Sequence, residues 1–599
     1  MSTLSPHSFH IPVMGISFTI DTPIKVAAYG ITSAISIIED NLVEVMRKYY
    51  YQQNNEHYEP IDTKQENYRI RRLTDYLNLV NRNVHSKFEQ LKTSAFETGS
   101  EIVKYFEMLP ENNVLKEHYY RFLQLPGNEE KLQLENLLRN EIKPGAIEVN
   151  IMTKVDKNNY DSQGIEIKDG SDALGALKAY AESDLENSSV IFSAGLNPRL
   201  YNYLENFREF DAIDWGVFKK KIIIKVSDYR SALIQGKYLA KKGIWVSEFR
   251  IESGLNCGGH AFATQGILMG PILEEFRNKK EELSNELFSL YNPALKARGE
   301  NGYDQPHPIY ITVQGGIGTS EENDLLINHY KVSGTGWGTP FLLCPEATTV
   351  DEATLELLSQ STEKDVVLSK SSPLGVPFNY LKGTSSENER LGRIERKKPG
   401  SPCTEKYLVS NTEFTKEPIC TASIKYQKLK LEQLESSGLP EAELKKQKED
   451  LLAKECLCVG LSNSAPVKYE EPFLKKLTAV TICPGPNIAN FTKIASLQEM
   501  TDHIYGRTSL PLNPNRVHMF LKELQLYMDY LRDEIKTCFN PGNKEKKNWK
   551  VFCQNLETGI AHYRDLVQKD LVSNKLNFEN GLVIAEEEIA GIKQWLEKL

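Results

Sequence analysis

The sequence predicts an α/β protein: a (β/α)8 TIM barrel with large helical insertions and a cysteine-containing, mainly helical C-terminal extension. Three observations support this prediction. Eight short apolar, β-branched segments precede residue 340, helical patterns alternate with them, and glycine-rich loops follow the last three. Such alternation is typical of βαβ units and a parallel sheet. A doubly wound sheet is the alternative, but eight strands with this pattern fit a closed barrel.

The predicted strands and helices follow from local residue patterns. The strands, bounded by turn-forming residues, span 11–17, 31–37, 146–152, 189–194, 221–226, 244–249, 308–313 and 330–334. Apolar residues at helical spacing predict helices over 171–183, 198–207, 229–242 and 321–329. Asp228 and Ser320 are the predicted N-caps of the last two helices, because their side-chain oxygens can accept free N–H groups of a first turn.

The barrel is predicted over residues 8–380, with helical insertions at about 41–143 and 267–298. Both insertions are charged and lack a strand-like run. Long insertions at the active-site rim of a barrel are typical of lids. Simple packing, or contacts within a homo-oligomer, is the alternative.

Two further regions follow the barrel. Residues 381–500 form a cysteine-containing extension and residues 501–599 a helical region. Polar and basic residues over 382–402 predict a linker or an extended wrap, and the charged tract 426–455 predicts a helical hairpin. Long helical patterns cover 515–537, 547–572 and 580–598.

The composition excludes several function classes. The 599 residues are 40% hydrophobic and 26% charged, with a net charge of −9 and both signs well mixed. A nucleic-acid-binding protein would need a basic excess on one face. The chain has no long apolar stretch and no basic, apolar leader at its N-terminus. We therefore expect a soluble, cytoplasmic protein that binds neither nucleic acid nor a membrane.

Glycine-rich loops are the strongest functional signal. Residues 254–260 read Gly-Leu-Asn-Cys-Gly-Gly-His, residues 314–319 read Gln-Gly-Gly-Ile-Gly-Thr, and Gly338-Thr339 follows the eighth strand. Glycines let a backbone approach a phosphate, and free N–H groups in such loops attract anions. Barrels commonly place a phosphate after strands seven and eight. A cofactor with one terminal phosphate fits better than a dinucleotide, because no Gly-x-Gly-x-x-Gly motif follows the first strand.

With these motifs the chain resembles the nitronate monooxygenase (2-nitropropane dioxygenase) family of FMN-dependent TIM barrels, which is related to FMN-type enoyl reductases. The resemblance covers about residues 8–362. The matching motifs are Pro12-Val-Met14-Gly15, Glu148-Val-Asn150-Ile-Met152, Gly258-Gly259-His260, Gln314-Gly315-Gly316-Ile-Gly318-Thr319 and Gly338-Thr339. The chain departs from the family at Ser253 and Asn256, where Gln and Glu are usual.

The resemblance implies an FMN site and assigns its residues by position. The phosphate would be held by Gly315, Gly316, Gly338 and Thr339. The flavin ring and ribityl chain would lie along Met14, Gly15 and Asn150, and the backbone would approach the flavin at Gly258 and Gly259. Lys225 would donate to the N1/O2 side of the flavin. His260 would be the catalytic acid or base, since imidazole titrates near neutral pH. It could instead cap a helix or bind the flavin. Cys257 is either a redox partner of the flavin or a small residue that fills space.

Five cysteines after the barrel form a second candidate site. Nine cysteines at low density do not predict a disulfide framework. The candidate metal ligands are Cys403, Cys420, Cys456, Cys458 and Cys483. They could ligate a [4Fe–4S] cluster, which is favoured beside a flavin, or a zinc ion. Independent buried cysteines are the alternative.

Together these features predict an FMN-dependent oxidoreductase that acts on a small organic or acyl substrate. Oxidation of a nitronate with O2 and reduction of an enoyl thioester by NAD(P)H are the two reactions considered. A non-catalytic scaffold built on a degenerate barrel is the alternative from a different class, because Ser253 and Asn256 depart from the family pattern.

Overall fold

The computed structural model contains a closed barrel of eight parallel strands. It describes residues 5–127, 129–152, 156–160, 163–193, 195–257, 265–538 and 541–598. Around the barrel the strands follow the order β1-β2-β3-β4-β7-β8-β9-β10, and β10 closes onto β1. The strands are β1 Phe9–Ile11, β2 Thr32–Ser36, β3 Ile147–Ile151, β4 Ser188–Phe192, β5 Ala212–Asp214, β6 Val217–Phe218, β7 Lys220–Val226, β8 Glu248–Glu252, β9 Tyr310–Gln314, β10 Gly334–Gly336, β11 Val366–Ser369 and β12 Phe378–Leu381. The predicted (β/α)8 fold is confirmed.

Helices surround the barrel and make up most of the C-terminal region. The α-helices are α1 Thr22–Val26, α2 Asp40–Gln53, α3 Tyr68–Thr93, α4 Glu101–Met108, α5 Val114–Gln124, α6 Glu129–Glu141, α7 Asp172–Glu182, α8 Pro198–Tyr203, α9 Tyr229–Ala240, α10 Met269–Ala297, α11 Ser320–Asp324, α12 Glu352–Gln360, α13 Ser385–Glu395, α14 Ile424–Glu435, α15 Glu441–Leu452, α16 Leu457–Gly460, α17 Ser464–Lys468, α18 Leu497–Ile504, α19 Met519–Thr537, α20 Asn543–Gln568 and α21 Lys575–Lys598. Short 3-10 turns include Thr339–Leu343 and Pro486–Asn490, and a π-helical turn spans Leu325–His329. No helix in the described ranges is long and apolar enough to cross a membrane.

The two helical insertions contribute helices to the ring around the barrel. Helix α3 packs against α1 and α7, and α10 packs against α9. Helices α4 to α6 form a separate apolar cluster with Ala28 and Ile142. Because Ala28 precedes β2 and Ile142 precedes β3, this cluster lies toward the amino ends of those strands. Packing therefore accounts for α3 and α10, the longest helices of the insertions.

Three barrel strands are displaced from their predicted positions. β1 ends at Ile11 rather than 17, β8 is Glu248–Glu252 rather than 244–249, and β10 is Gly334–Gly336 rather than 330–334. Beyond β1, the N–H groups of Ile16 and Ser17 bind the carbonyl of Leu461 instead of a neighbouring strand. The chain before β10 continues as a π-helical turn and reverses at Lys331, where φ is 57°.

Two local predictions at helix ends also differ from the structure. Thr319, not Ser320, is the N-cap of α11, since its side chain accepts from Glu322 N; Asp228 caps α9 as predicted. The predicted linker 382–402 contains helix α13. Polar residues of this segment lie at the two ends of the helix. Thr384 caps its first turn, and Lys397, with φ 55°, lies just beyond its last residue. The predicted helical hairpin is confirmed as α14 and α15.

Candidate cofactor site at the carboxyl end of the barrel

The loop after β9 has the backbone conformation that its glycines predict. Gly315 has φ 116° and Gly316 has φ 82°, values that disfavour side chains. A Cβ on Gly315 would lie 3.1 Å from the backbone nitrogen of Asn256, and one on Gly316 would lie 2.5 Å from Leu255 Cδ1. The loop therefore packs closely against the segment after β8, and glycine is needed at both positions.

The loop after β10 lies beside it. Gly338 and Thr339 are buried, and a Cβ on Gly338 would lie 3.2 Å from Cys257 Cβ and 3.5 Å from Met14 Sδ. The Thr339 hydroxyl donates to the carbonyl of Pro484 at 2.6 Å. A turn from the C-terminal extension thus covers part of this loop.

Four backbone N–H groups in these two loops have no acceptor among the described residues. They belong to Gly316, Ile317, Gly338 and Thr339, which are all buried, and the described part of the chain supplies no hydrogen-bond partner to any of them. Buried N–H groups are rarely left unpaired in proteins. Unpaired N–H groups in adjoining glycine loops are what a phosphate requires. These residues therefore fit a phosphate group.

The loop after β1 also approaches this region. Met14 is buried and its N–H donates to Thr19 Oγ1 at 3.3 Å, while Gly15 has φ 57°. The next two N–H groups, of Ile16 and Ser17, donate to Leu461 of the extension at 3.3 and 3.0 Å. Met14 thus lies near Gly338, and Gly15 lies beside Leu461 of the extension.

Polar side chains line the carboxyl end of the barrel interior. Glu252 on β8 binds three donors: Lys225 Nζ at 3.0 Å, Gln314 Nε2 at 2.8 Å and Asn256 Nδ2 at 2.9 Å. Asn150 Oδ1 and Gln314 Oε1 are buried and accept no hydrogen bond from any described residue. Lys225 lies near the end of β7, the fifth strand of the barrel, where Glu252 offsets its charge. The two orphaned oxygens remain available to donors of a bound molecule.

A buried ion-pair network lies deeper in the barrel. Arg250 on β8 binds both oxygens of Glu148 at 2.8 Å and also binds Glu248. The Arg250 side chain is 1% exposed. Although burial favours its neutral form, Glu148 has a lowered pKa because of Arg250. Burial raises the pKa of Glu248.

Three predicted site residues, Gly258, Gly259 and His260, lie outside the described residues. On one side of them, Cys257 is buried and its thiol donates to the carbonyl of Cys483 at 3.2 Å. Burial raises the pKa of this thiol, which favours the space-filling role over a reactive thiolate.

Ser253 and Asn256, the two residues that depart from the family pattern, have hydrogen-bond partners that could not be predicted from the sequence. Ser253 donates to Glu523 Oε1 at 2.7 Å, and the same carboxylate accepts from Met269 N at 2.8 Å. Glu523 lies on α19 and is 2% exposed. Burial raises its pKa to about 7. A carboxyl group from the C-terminal region thus joins the two ends of the segment that contains residues 258–264.

Four of the five candidate metal ligands interact with one another. Cys403 and Cys420 share a side-chain hydrogen bond, and Cys456 and Cys458 lie within electrostatic range of Cys403. Nearby backbone N–H groups favour the thiolate form of each and so act to lower its pKa; they belong to Lys406, Ala422, Val459 and Tyr407 respectively. The hydrogen bond from Cys420 lowers the pKa of Cys403 to about 7. Within the described ranges, however, no three Cys, His, Asp or Glu side chains are grouped so that they could hold a metal ion.

Comparisons with known proteins give only distant similarities. No family model and no curated protein matches the chain. The chain is similar to the enoyl reductase domain of MlnA from the macrolactin biosynthesis cluster of Bacillus amyloliquefaciens: identity is 16%, the TM-score 0.32, and the match covers 69% of this chain and 89% of that one. It is also similar to nitroalkane oxidase from Streptomyces ansochromogenes, with 9% identity, TM-score 0.28 and coverage of 64% and 85%. The fold assignment rests on the strand order of this chain itself.

Proposed function

We propose that this protein is an FMN-dependent oxidoreductase. The observation that carries the proposal is a set of four N–H groups, on buried residues of the loops after β9 and β10, for which the described part of the chain supplies no acceptor. They are the donors that a terminal phosphate needs, and they lie where barrels commonly bind one. When bound, FMN would supply hydride and electron transfer.

The chain's own residues would bind and orient this cofactor. Gly315 and Gly316 let the backbone approach, and Gly338 and Thr339 supply N–H groups from the second loop. Asn150 and Gln314 offer buried acceptor oxygens to hydroxyl or N–H donors. Lys225 supplies a cation, held 3.0 Å from Glu252, at the end of β7.

The substrate proposed is a small organic molecule or an acyl chain. Enoyl-thioester reduction and nitronate oxidation remain the two candidate reactions. Two flavin redox cycles distinguish them. For an enoyl reductase, NADPH or NADH reduces the flavoprotein without oxygen and an enoyl thioester reoxidises it. For a nitronate oxidase, a nitronate reduces the flavoprotein and O2 reoxidises it. The pair of substrates that completes the cycle identifies the reaction.

Substituting Gly316 with alanine is expected to weaken FMN binding by at least about tenfold, the effect of losing one hydrogen bond to a charged group. At φ 82° a Cβ is strained and would meet Leu255, so the loop must shift. Flavin fluorescence titration of the apoprotein measures the affinity.

Gly375→Ala is the matched control. Gly375 also has a positive φ, 75°, but a Cβ there meets nothing within 4 Å. Its FMN affinity should equal that of the unsubstituted protein. A protein that is purified colourless and cannot be loaded with FMN would refute the proposed function and favour the scaffold alternative.

We also propose that Cys403, Cys420, Cys456 and Cys458 hold an iron–sulfur cluster. The supporting observation is that the other three thiols all lie within electrostatic range of Cys403, and that a backbone N–H near each thiol favours its thiolate form. Backbone N–H groups of this kind stabilise and tune cluster thiolates. In a [4Fe–4S] cluster each cysteine binds a different iron. The four cysteines therefore need not be grouped closely enough to hold a single ion such as zinc.

The cluster proposal predicts equal amounts of iron and acid-labile sulfide in protein purified without oxygen. Replacing Cys456 and Cys458 with serine should remove both, whereas Cys538→Ser should remove neither. Iron at background level in the anaerobic protein would mean that these four residues are independent cysteines.

A further inference from the structure

The phosphate-binding loop after β9 is held from behind by the C-terminal region. Three consecutive carbonyls of this loop accept hydrogen bonds from three side chains. Arg516 Nη2 donates to Gly316 O at 3.3 Å, Asn487 Nδ2 to Ile317 O at 2.9 Å, and His503 Nε2 binds Gly318 O at 2.9 Å. The donors are 200, 170 and 185 residues away from their acceptors in sequence.

Holding these carbonyls also sets the direction of the N–H groups. In a planar trans peptide, C=O and N–H point to opposite sides. Since Arg516 holds the carbonyl of Gly316, the N–H of Ile317 faces away from the guanidinium group. That N–H is one of the four to which no described residue offers an acceptor. The next two carbonyl contacts prevent the loop from rotating about this peptide.

The donor role of His503 is fixed by its surroundings. Its Nδ1 accepts from Leu510 N at 3.2 Å, so the proton of the neutral ring must lie on Nε2, which faces Gly318 O. The rings of Trp337 and Phe491 meet the imidazole edge-on, at 86° and 89°. Burial lowers the pKa of His503, so the ring is neutral at physiological pH.

The donor role of Asn487 is fixed in the same way. Its Oδ1 accepts from Asn490 Nδ2 at 3.1 Å, which leaves Nδ2 to donate to Ile317 O. Asn487 lies in the 3-10 turn that follows Pro484, the residue that covers Thr339. One turn of the extension therefore contacts both glycine loops.

Arg516 is tied to the loop through a second residue. Glu322 accepts from Arg516 Nη2 at 2.6 Å and from Gly318 N at 2.8 Å, and its other oxygen accepts from Met519 N at 2.7 Å. Burial favours the neutral form of Glu322, but Arg516 and His518 keep its pKa below the usual range. The pair thus links the loop to the start of α19.

We propose that Asn487, His503 and Arg516 are positioning residues: they hold the loop after β9 so that the N–H of Ile317 faces the cofactor phosphate. This inference rests on the proposed FMN site and extends it, because it makes the C-terminal region part of that site. The three residues act through the loop and do not touch the phosphate themselves.

The test compares FMN with riboflavin, which lacks the phosphate. His503→Leu removes the donor to Gly318 O. It should weaken FMN binding by about tenfold, the effect of losing one hydrogen bond at the phosphate loop. Riboflavin binding should change by less than about twofold, because riboflavin does not use this loop. His503→Gln offers an N–H donor from a flexible chain and should restore most of the FMN affinity. Asn487→Asp keeps its shape but loses the donor, and it should behave like His503→Leu.

His562→Leu is the matched control, because His562 lies in the same C-terminal region and binds Tyr330 rather than the loop. Circular dichroism checks that each variant is folded. An equal fall in FMN and riboflavin affinity in both His503→Leu and Asn487→Asp, or no fall in either, would overturn the positioning role alone. An unsubstituted protein that binds neither flavin would overturn the proposed function, and the positioning role with it.

Discussion

Replacing Arg250 with methionine is expected to destabilise the protein by about 3–5 kcal/mol, the usual cost of removing one partner from a buried ion pair. Arg250 binds Glu148 through two hydrogen bonds of 2.8 Å and also binds Glu248, all inside the barrel. Methionine fills much of the same volume but leaves two buried carboxyl groups without a cation. Urea unfolding followed by circular dichroism measures the loss of free energy of unfolding.

The control for this prediction is Arg208→Met. Arg208 also binds two carboxylates, Asp211 and Glu300, but its side chain is 69% exposed. Solvent screens such pairs, so the change should cost no more than about 1 kcal/mol. In the double variant Arg250→Met, Glu148→Gln, one stranded charge is removed, and the double variant should be more stable than Arg250→Met alone. If Arg250→Met and Arg208→Met have equal effects, the barrel network does not stabilise the fold.

The same network explains why one strand was misplaced from the sequence. The apolar run Ile244–Val246 resembles a strand, yet β8 begins at Glu248 and places Glu248, Arg250 and Glu252 on one face. Alternation predicts a charged face in solvent. Here that face points into the barrel, where the charges pair with one another and with β3 and β7. Pairing between strands distant in sequence reverses the expected pattern.

The glycine loops could be predicted because their signal is local. Gly315 and Gly316 need positive φ values, and that requirement is written in adjacent residues. The residues that orient the loop have no such signal. These residues are Asn487, His503 and Arg516, and each lies at least 170 residues from the loop in sequence. In the sequence they cannot be told apart from other polar residues of the C-terminal region. Only the folded chain identifies them.

Glu523 is expected to make the stability of the protein depend on pH near neutrality. Its carboxyl group accepts from Ser253 Oγ and Met269 N, and no salt bridge to it occurs within the described ranges. Burial raises its pKa from 4.5 to about 7. Below pH 4.5 it is protonated in both the folded and unfolded states. As pH rises, the unfolded state ionises first, so the free energy of unfolding falls by about 3 kcal/mol before pH 7 and then levels off.

Glu523→Gln removes the titration and keeps an oxygen acceptor in place. The difference in free energy of unfolding between this variant and the unsubstituted protein should therefore change by about 3 kcal/mol in favour of the variant between pH 4.5 and 8. Urea unfolding at intervals of pH measures it. Asp533→Asn, an exposed change on the same helix, is measured in parallel as a control for the loss of a carboxyl group. Parallel pH profiles for Glu523→Gln and the unsubstituted protein would mean that this carboxyl group titrates alike in both states. The bond to Ser253 would then offset the effect of burial, and this link between α19 and the segment after β8 would be insensitive to pH.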